Sequence, residues 1–168
     1  VGHHALGTVP SMPLDEALGI VGPVLADPAI VKSGHDLKFD TIVLGRHGIT
    51  LAGLGLDTML ASYLLDANRS AHRLEDLALE HTSYKAISEE EICGRAVKAP
   101  SLADVPVEAA VDYAGERADL VGQIAPLLGE QLEREQLGDV YRTLELPLVP
   151  VLVDIERAGV RIDSTALL

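Results

Sequence analysis

Apolar positions recur every three or four residues through most of this chain, and short β-branched runs interrupt them at intervals. Ser11 and Pro13 start the first periodic stretch, Asp15 and Glu16 sit in its first turn, and Leu14, Leu18, Val21 and Leu25 share one face. That spacing predicts a helix, which Asp27-Pro28 stops. Before it, Val1 to Pro10 reads as the end of a strand running into a loop. A short β-branched run follows the helix, predicting a strand over Ile30 to Gly34, and Asp36 is placed to cap a helix from Leu37 to about His47, closed by Gly48. Leu54 to Leu56 predicts a second strand, with Asp57 capping Thr58 to Leu65. Strands alternating with capped helices favour an α/β class.

From Leu74 the pattern becomes helical throughout. Leu74, Leu77 and Ala78 share a face, and Ser88 with Glu91 has capping-box spacing ahead of Ile92. Pro100 to Pro106 reads as a loop. Val107 opens a long amphipathic stretch with Ala110, Val111, Ala114, Ala118 and Val121 as its stripe, expected to be interrupted near Pro126 and to run on to about Leu144. Pro147 and Pro150 are expected to precede a last helix, which Gly159 ends.

Composition narrows the function classes. At 168 residues the chain suits one ordinary domain, and with 48% hydrophobic residues, 3% aromatics and no tryptophan its core must be aliphatic. The net charge of -13 lacks the basic balance of a domain that grips nucleic acid unaided, so weak DNA binding is expected of this chain alone. Its single cysteine, Cys93, permits no intrachain disulfide and no multi-cysteine zinc site, and reads as a small buried apolar residue. A reducing, cytoplasmic setting is the expectation. No apolar run approaches the roughly 18 residues of a membrane span.

Three stretches, in this order, carry a family resemblance. Ser33-Gly34-His35-Asp36-Leu37-Lys38-Phe39-Asp40 resembles an Asn-x-x-x-Asp motif on the helix after a strand. Leu56-Asp57-Thr58-Met59-Leu60-Ala61-Ser62-Tyr63-Leu64-Leu65 resembles a strand-to-helix junction. The most specific runs from Leu146 through Pro147-Leu148-Val149-Pro150 and Ile155-Glu156-Arg157-Ala158-Gly159 to Asp163. Together they are similar to the 3'-5' proofreading exonuclease domain of bacterial family A DNA polymerases. The resemblance implies an α/β, RNase H-like mixed sheet flanked by helices, with the family's first strands missing from this chain. It also implies residues 1–143 as a partial exonuclease-like domain and 144–168 as a connector helix leading into a polymerase domain.

The family's chemistry is two-metal hydrolysis, in which acidic ligands hold divalent cations about 3.5–4 Å apart. The resemblance therefore implies Mg2+ or Mn2+, and a DNA substrate. Asp40 matches the second-motif metal ligand and Asp36 stands where an Asn is usual, one helical turn earlier. Without the flanking resemblance, Asp36 reads as a cap and Asp40 as a solvated acid. The third motif matches Tyr113-Ala114-Gly115-Glu116-Arg117, so Tyr113 keeps an active-site position while Arg117 replaces a ligand. Asp119 lies roughly 200° around the helix from Arg117, and Glu116 roughly 100°, leaving Glu116 a marginal substitute. The Asp-x-Glu of the first motif is absent from this chain, and the protein is expected to continue upstream.

Other candidates are weaker. His3, His4, His35, His47, His72 and His81 fall at no helical ligand spacing beside a third ligand, so they read as surface or loop histidines. Gly53-Leu54-Gly55 lacks the further glycine and lysine of a phosphate loop. The leading function is a degenerate, inactive exonuclease domain acting as a scaffold beside a polymerase domain, with Arg117 and Asp36 as weak DNA contacts. The alternative is an active two-metal proofreading exonuclease whose first motif lies upstream. A free-standing nuclease of the ribonuclease D type fits less well, because it has no use for the connector.

Overall fold

The computed structural model describes residues 12–94, 101–162 and 166. The expected strand end in Val1 to Pro10 lies outside them. Helix α1 (Leu14–Ala26) leads to strand β1 (Lys32–Gly34), helix α2 (Leu37–Arg46), strand β2 (Leu54–Asp57) and helix α3 (Thr58–Leu65). Helices α4 (Leu74–Thr82) and α5 (Glu89–Cys93) follow, then the long α6 (Val107–Arg134). A single turn, α7 (Gly138–Val140), passes through a π-helical turn at Tyr141–Glu145 into α8 (Leu146–Ala158). The class is α/β, as the alternation predicted, and helix dominates.

Strand β1 is shorter than the expected Ile30 to Gly34. The Ile30 amide donates to the Asp27 carbonyl at 3.3 Å, so the residues before Lys32 belong to a turn. Among the described residues the sheet consists of β1 and β2, parallel, with Lys32 opposite Leu54 and Gly34 opposite Asp57. The chain enters β2 at Gly53, whose φ of +68° and tight approach to the Ile30 carbonyl exclude any side chain.

Helix α6 forms the spine of the core. Leu120, Ile124, Leu128 and Leu132 fall four residues apart on one face and pack against Ala61, Leu74, Leu77 and Ala78 of α3 and α4. Cys93 is buried, as expected. A second, smaller cluster joins Ile42 of α2 to Val149 and Val153 of α8. The opposite face of α8 is open, with Leu148 40%, Leu152 41% and Ile155 57% exposed.

Two expectations about proline need correcting. Helix α6 runs through Pro126 without a break, because the residue four earlier, Gly122, is exposed and water can satisfy its carbonyl. The break comes instead at Gln136, which takes φ +60° while the Leu137 amide closes back onto the Leu132 carbonyl at 2.8 Å. Pro147 and Pro150 likewise do not precede the last helix. Both lie inside a helical segment already continuous from Tyr141, Pro147 just after the π-helical turn and Pro150 within α8.

The left-handed conformation of Gln136 gives a stability test. Gln136→Gly removes the Cβ penalty of that conformation and is expected to stabilise the protein by about 0.5–1 kcal/mol. Urea unfolding measures it, and a lower midpoint in the variant counts against this account of where α6 stops.

Candidate functional site

The site is assembled around Asp57, at the end of β2. Its side chain is 1% exposed, so its oxygens need protein partners. Oδ1 accepts from the amides of Met59 (2.9 Å), Leu60 (3.3 Å) and Asp36 (3.1 Å), and Oδ2 from the Leu37 amide at 2.7 Å. One carboxylate therefore caps α3 locally and also holds the start of α2, about 20 residues away in the chain. Opposite charge at two helix N-termini reinforces both caps.

With its amide turned to Asp57, Asp36 adopts a left-handed conformation, φ +67°, and its side chain accepts from the Phe39 amide at 3.2 Å. Asp40 follows one turn later, half-buried, with its Oδ2 against Gly34 at the end of β1. Burial, then the charges of Asp36 and Asp57, pushes the Asp40 carboxyl up to about 6. It lines a shallow depression of about 340 Å³ with Lys32, Ser33 and Leu51.

Tyr113 and Arg117 sit one turn apart on α6 and line a different cleft, of about 530 Å³, together with His35, Arg73 and Glu75. The Arg117 guanidinium donates to Glu75 Oε1 of α4 at 2.7 Å and lies 5.1 Å from the Tyr113 ring centroid. Tyr113 is buried, which raises its hydroxyl pKa against the opposing charge of Arg117. Thus the fold joins Tyr113 with Arg117 and Asp36 with Asp40, while Asp40 and Tyr113 line separate depressions. His35, adjacent to Asp36, bridges the two groups.

His35 and Glu75 are the residues that sequence reasoning missed. Read as a surface or loop histidine, His35 is in fact partly buried: Nδ1 lies 2.9 Å from Thr58 Oγ1, whose hydroxyl donates to the Gly34 carbonyl at 3.1 Å. When that hydroxyl donates to Gly34, Nδ1 is the donor to Thr58. Burial lowers the His35 pKa, opposed by Asp57 and assisted by Arg117. Ser62 and His72 form another partly buried pair, at 2.9 Å. Glu116, the marginal substitute ligand, is engaged elsewhere: it accepts from the Tyr84 hydroxyl and the Ile87 amide, each at 2.7 Å. It is absent from the lining of the Arg117 cleft.

These residues do not fit a pair of divalent cations. Among the described residues, no group of three or more His, Cys, Asp or Glu side chains converges to hold a metal. The Arg117 guanidinium, paired with Glu75, lines the cleft beside Tyr113.

The family model described as 3'-5' exonuclease, of the family A DNA polymerase type, matches residues 3–133. DNA polymerase I of Pseudomonas aeruginosa is 35% identical over 99% of this chain, and that of Chloroflexus aurantiacus 37% over 99%. The chain spans only 19% and 17% of their lengths. Among solved structures, a Mycobacterium smegmatis Pol1 polymerase domain in complex with DNA primer-template and dNTP superposes with TM-score 0.71. It is 28% identical, covering 92% of this chain and 23% of that one. Brucella melitensis NrnC shares the fold, with TM-score 0.68 at 22% identity over 82% of this chain and 63% of its own.

The raised pKa of Asp40 fixes the sign of a pH effect. Its folded value of about 6 lies above the ordinary 3.8, so between those values the folded state holds the proton more tightly. Ionisation of Asp40 therefore destabilises the fold as pH rises from about 4 to about 6. Asp40→Asn is expected to stabilise at pH 7 by about 1 kcal/mol, after allowance for solvent screening at a half-exposed group, and to be neutral below pH 4. Denaturant midpoints at the two pH values check this, and a gain that is equal at both refutes it.

Proposed function

This chain belongs to the 3'-5' exonuclease family of DNA polymerase I, and we propose that it is a degenerate member, serving as a scaffold beside a polymerase domain rather than cutting DNA. The observation that carries this reading is Arg117. A guanidinium stands one turn after Tyr113, where the family pattern calls for a carboxylate, and it is held there by Glu75 and the Tyr113 ring. Fixed positive charge in a cleft of reduced dielectric opposes the approach of divalent cations. Asp40 alone cannot hold two of them.

The same reading assigns the partners. Residues 144–168 act as the connector, and the exposed Leu148, Leu152 and Ile155 of α8 are the surface that a following polymerase domain covers. DNA is a weak partner of this chain by itself, given its charge of -13. Contact between Arg117 and a phosphate requires the Glu75 pair to open first. No helix among the described residues is long and apolar enough to cross a membrane, and a cytoplasmic setting suits the proposal.

Retention of Asp40 beside Asp36 on α2 favours the second reading, an active two-metal exonuclease with its first motif upstream. One assay separates the two: the full polypeptide and its Arg117→Asp variant are incubated with end-labelled single-stranded DNA and Mg2+ or Mn2+. The degenerate reading expects no metal-dependent cleavage by the unaltered protein. Cleavage only by the variant supports a lost ligand at Arg117, and clear cleavage by the unaltered protein overturns the proposal.

A further inference from the structure

The C-terminal segment reaches the carboxylate-bearing turn of α2 by two routes. The first runs through Tyr141, 4% exposed at the start of the π-helical turn. Its hydroxyl accepts from the Asp57 amide at 2.7 Å and donates to the Gly55 carbonyl at 3.1 Å. It thereby pins the end of β2, whose Asp57 carboxylate receives the Asp36 and Leu37 amides. A hydroxyl is needed for this, because one oxygen must accept and donate at once. Burial pushes the Tyr141 hydroxyl up to about 12, so it remains protonated and keeps its donor. The second route is lateral: Val149 and Val153 pack on Ile42, and Glu156 pairs with Lys38.

We infer that Tyr141 is a positioning residue, through which the segment Tyr141–Ala158 sets the Asp36–Asp40 turn by way of Asp57. Helix α8 follows Tyr141 without a break, so a displacement of α8 acts on α2 from its side and, through Tyr141 and Asp57, at its N-terminus. The arrangement is a mechanical link between whatever binds the open face of α8 and the carboxylates of α2. It holds whether or not the domain cuts DNA.

Amide hydrogen exchange on the protein and two variants tests the link. Tyr141→Phe leaves the Asp57 amide and the Gly55 carbonyl without their partner, and is expected to speed exchange at the Asp36 and Leu37 amides on the order of tenfold, as for one lost buried hydrogen bond. The amides of Leu120 to Leu128 in α6 report global opening, which a merely structural loss accelerates equally. Glu156→Gln alters an exposed side chain, leaves the fold intact, and is expected to speed exchange across the first turns of α2 by roughly twofold, as for a weak surface pair. Faster exchange at Asp36 and Leu37 relative to α6 in Tyr141→Phe supports the inference. Equal acceleration everywhere overturns it. Should Tyr141→Phe fail to fold, exchange of the unaltered protein in low denaturant decides: Asp36 and Leu37 opening together with the amides of the Tyr141–Glu145 turn supports the link, and their opening independently of that turn overturns it.

Discussion

A single buried carboxylate organises this domain. Asp57 has no access to water, and a charge in that position is tolerable only when its oxygens are fully engaged. Four backbone amides from two helices meet that need. The consequence is geometric: β2, α2 and α3 share one junction, and Gly34 of β1 is drawn opposite Asp57 in the parallel ladder. Asp36 accepts a left-handed backbone to present its amide there, a conformation costing on the order of 1 kcal/mol that the Asp57 bond helps to offset. Asp40 inherits its place from the same turn.

Much of this was legible locally. Asp36, Asp57 and the Ser88–Glu91 box all act as the caps their spacing indicates, because a capping bond joins residues two or three apart. The expected break at Pro126 does not occur because its effect depends on whether the carbonyl four residues back faces water, which the sequence does not encode. Asp57 shows its cap of α3 in sequence, but its hold on Asp36 and Leu37 is a tertiary contact. Glu75 with Arg117, 42 residues apart, and Tyr141 with Asp57, 84 apart, have no local signature at all. His35 was dismissed for lack of a neighbouring ligand, whereas what fixes it is the Thr58 hydroxyl.

The two halves of α6 play different parts in the fold. Its C-terminal half buries Leu120, Ile124, Leu128 and Leu132, and these set the stability of the helix. Tyr113 and Arg117 lie in the N-terminal half, where Val111 is 61% exposed and apolar packing is sparse. Tyr113 is buried there, whereas the Arg117 guanidinium is held by Glu75 and the Tyr113 ring, so replacing Arg117 alters chemistry with little effect on the fold.

Charge balance gives the substitution a physical logic. Asp36, Asp57 and Glu75 surround His35, and the raised pKa of Asp40, caused first by burial, also carries the repulsion of Asp36 and Asp57. In a chain of net charge -13 such a cluster needs a counter-charge. Divalent cations meet that need in a metal-dependent nuclease, but only while they are bound. If Arg117 stands in a former ligand position, as proposed, it removes one negative charge and adds a permanent positive one, with Glu75 in place to receive it. Under that proposal the exchange offsets the charge of Glu75 without metal, so a domain kept for its shape would tolerate the loss of a ligand that a domain kept for catalysis does not.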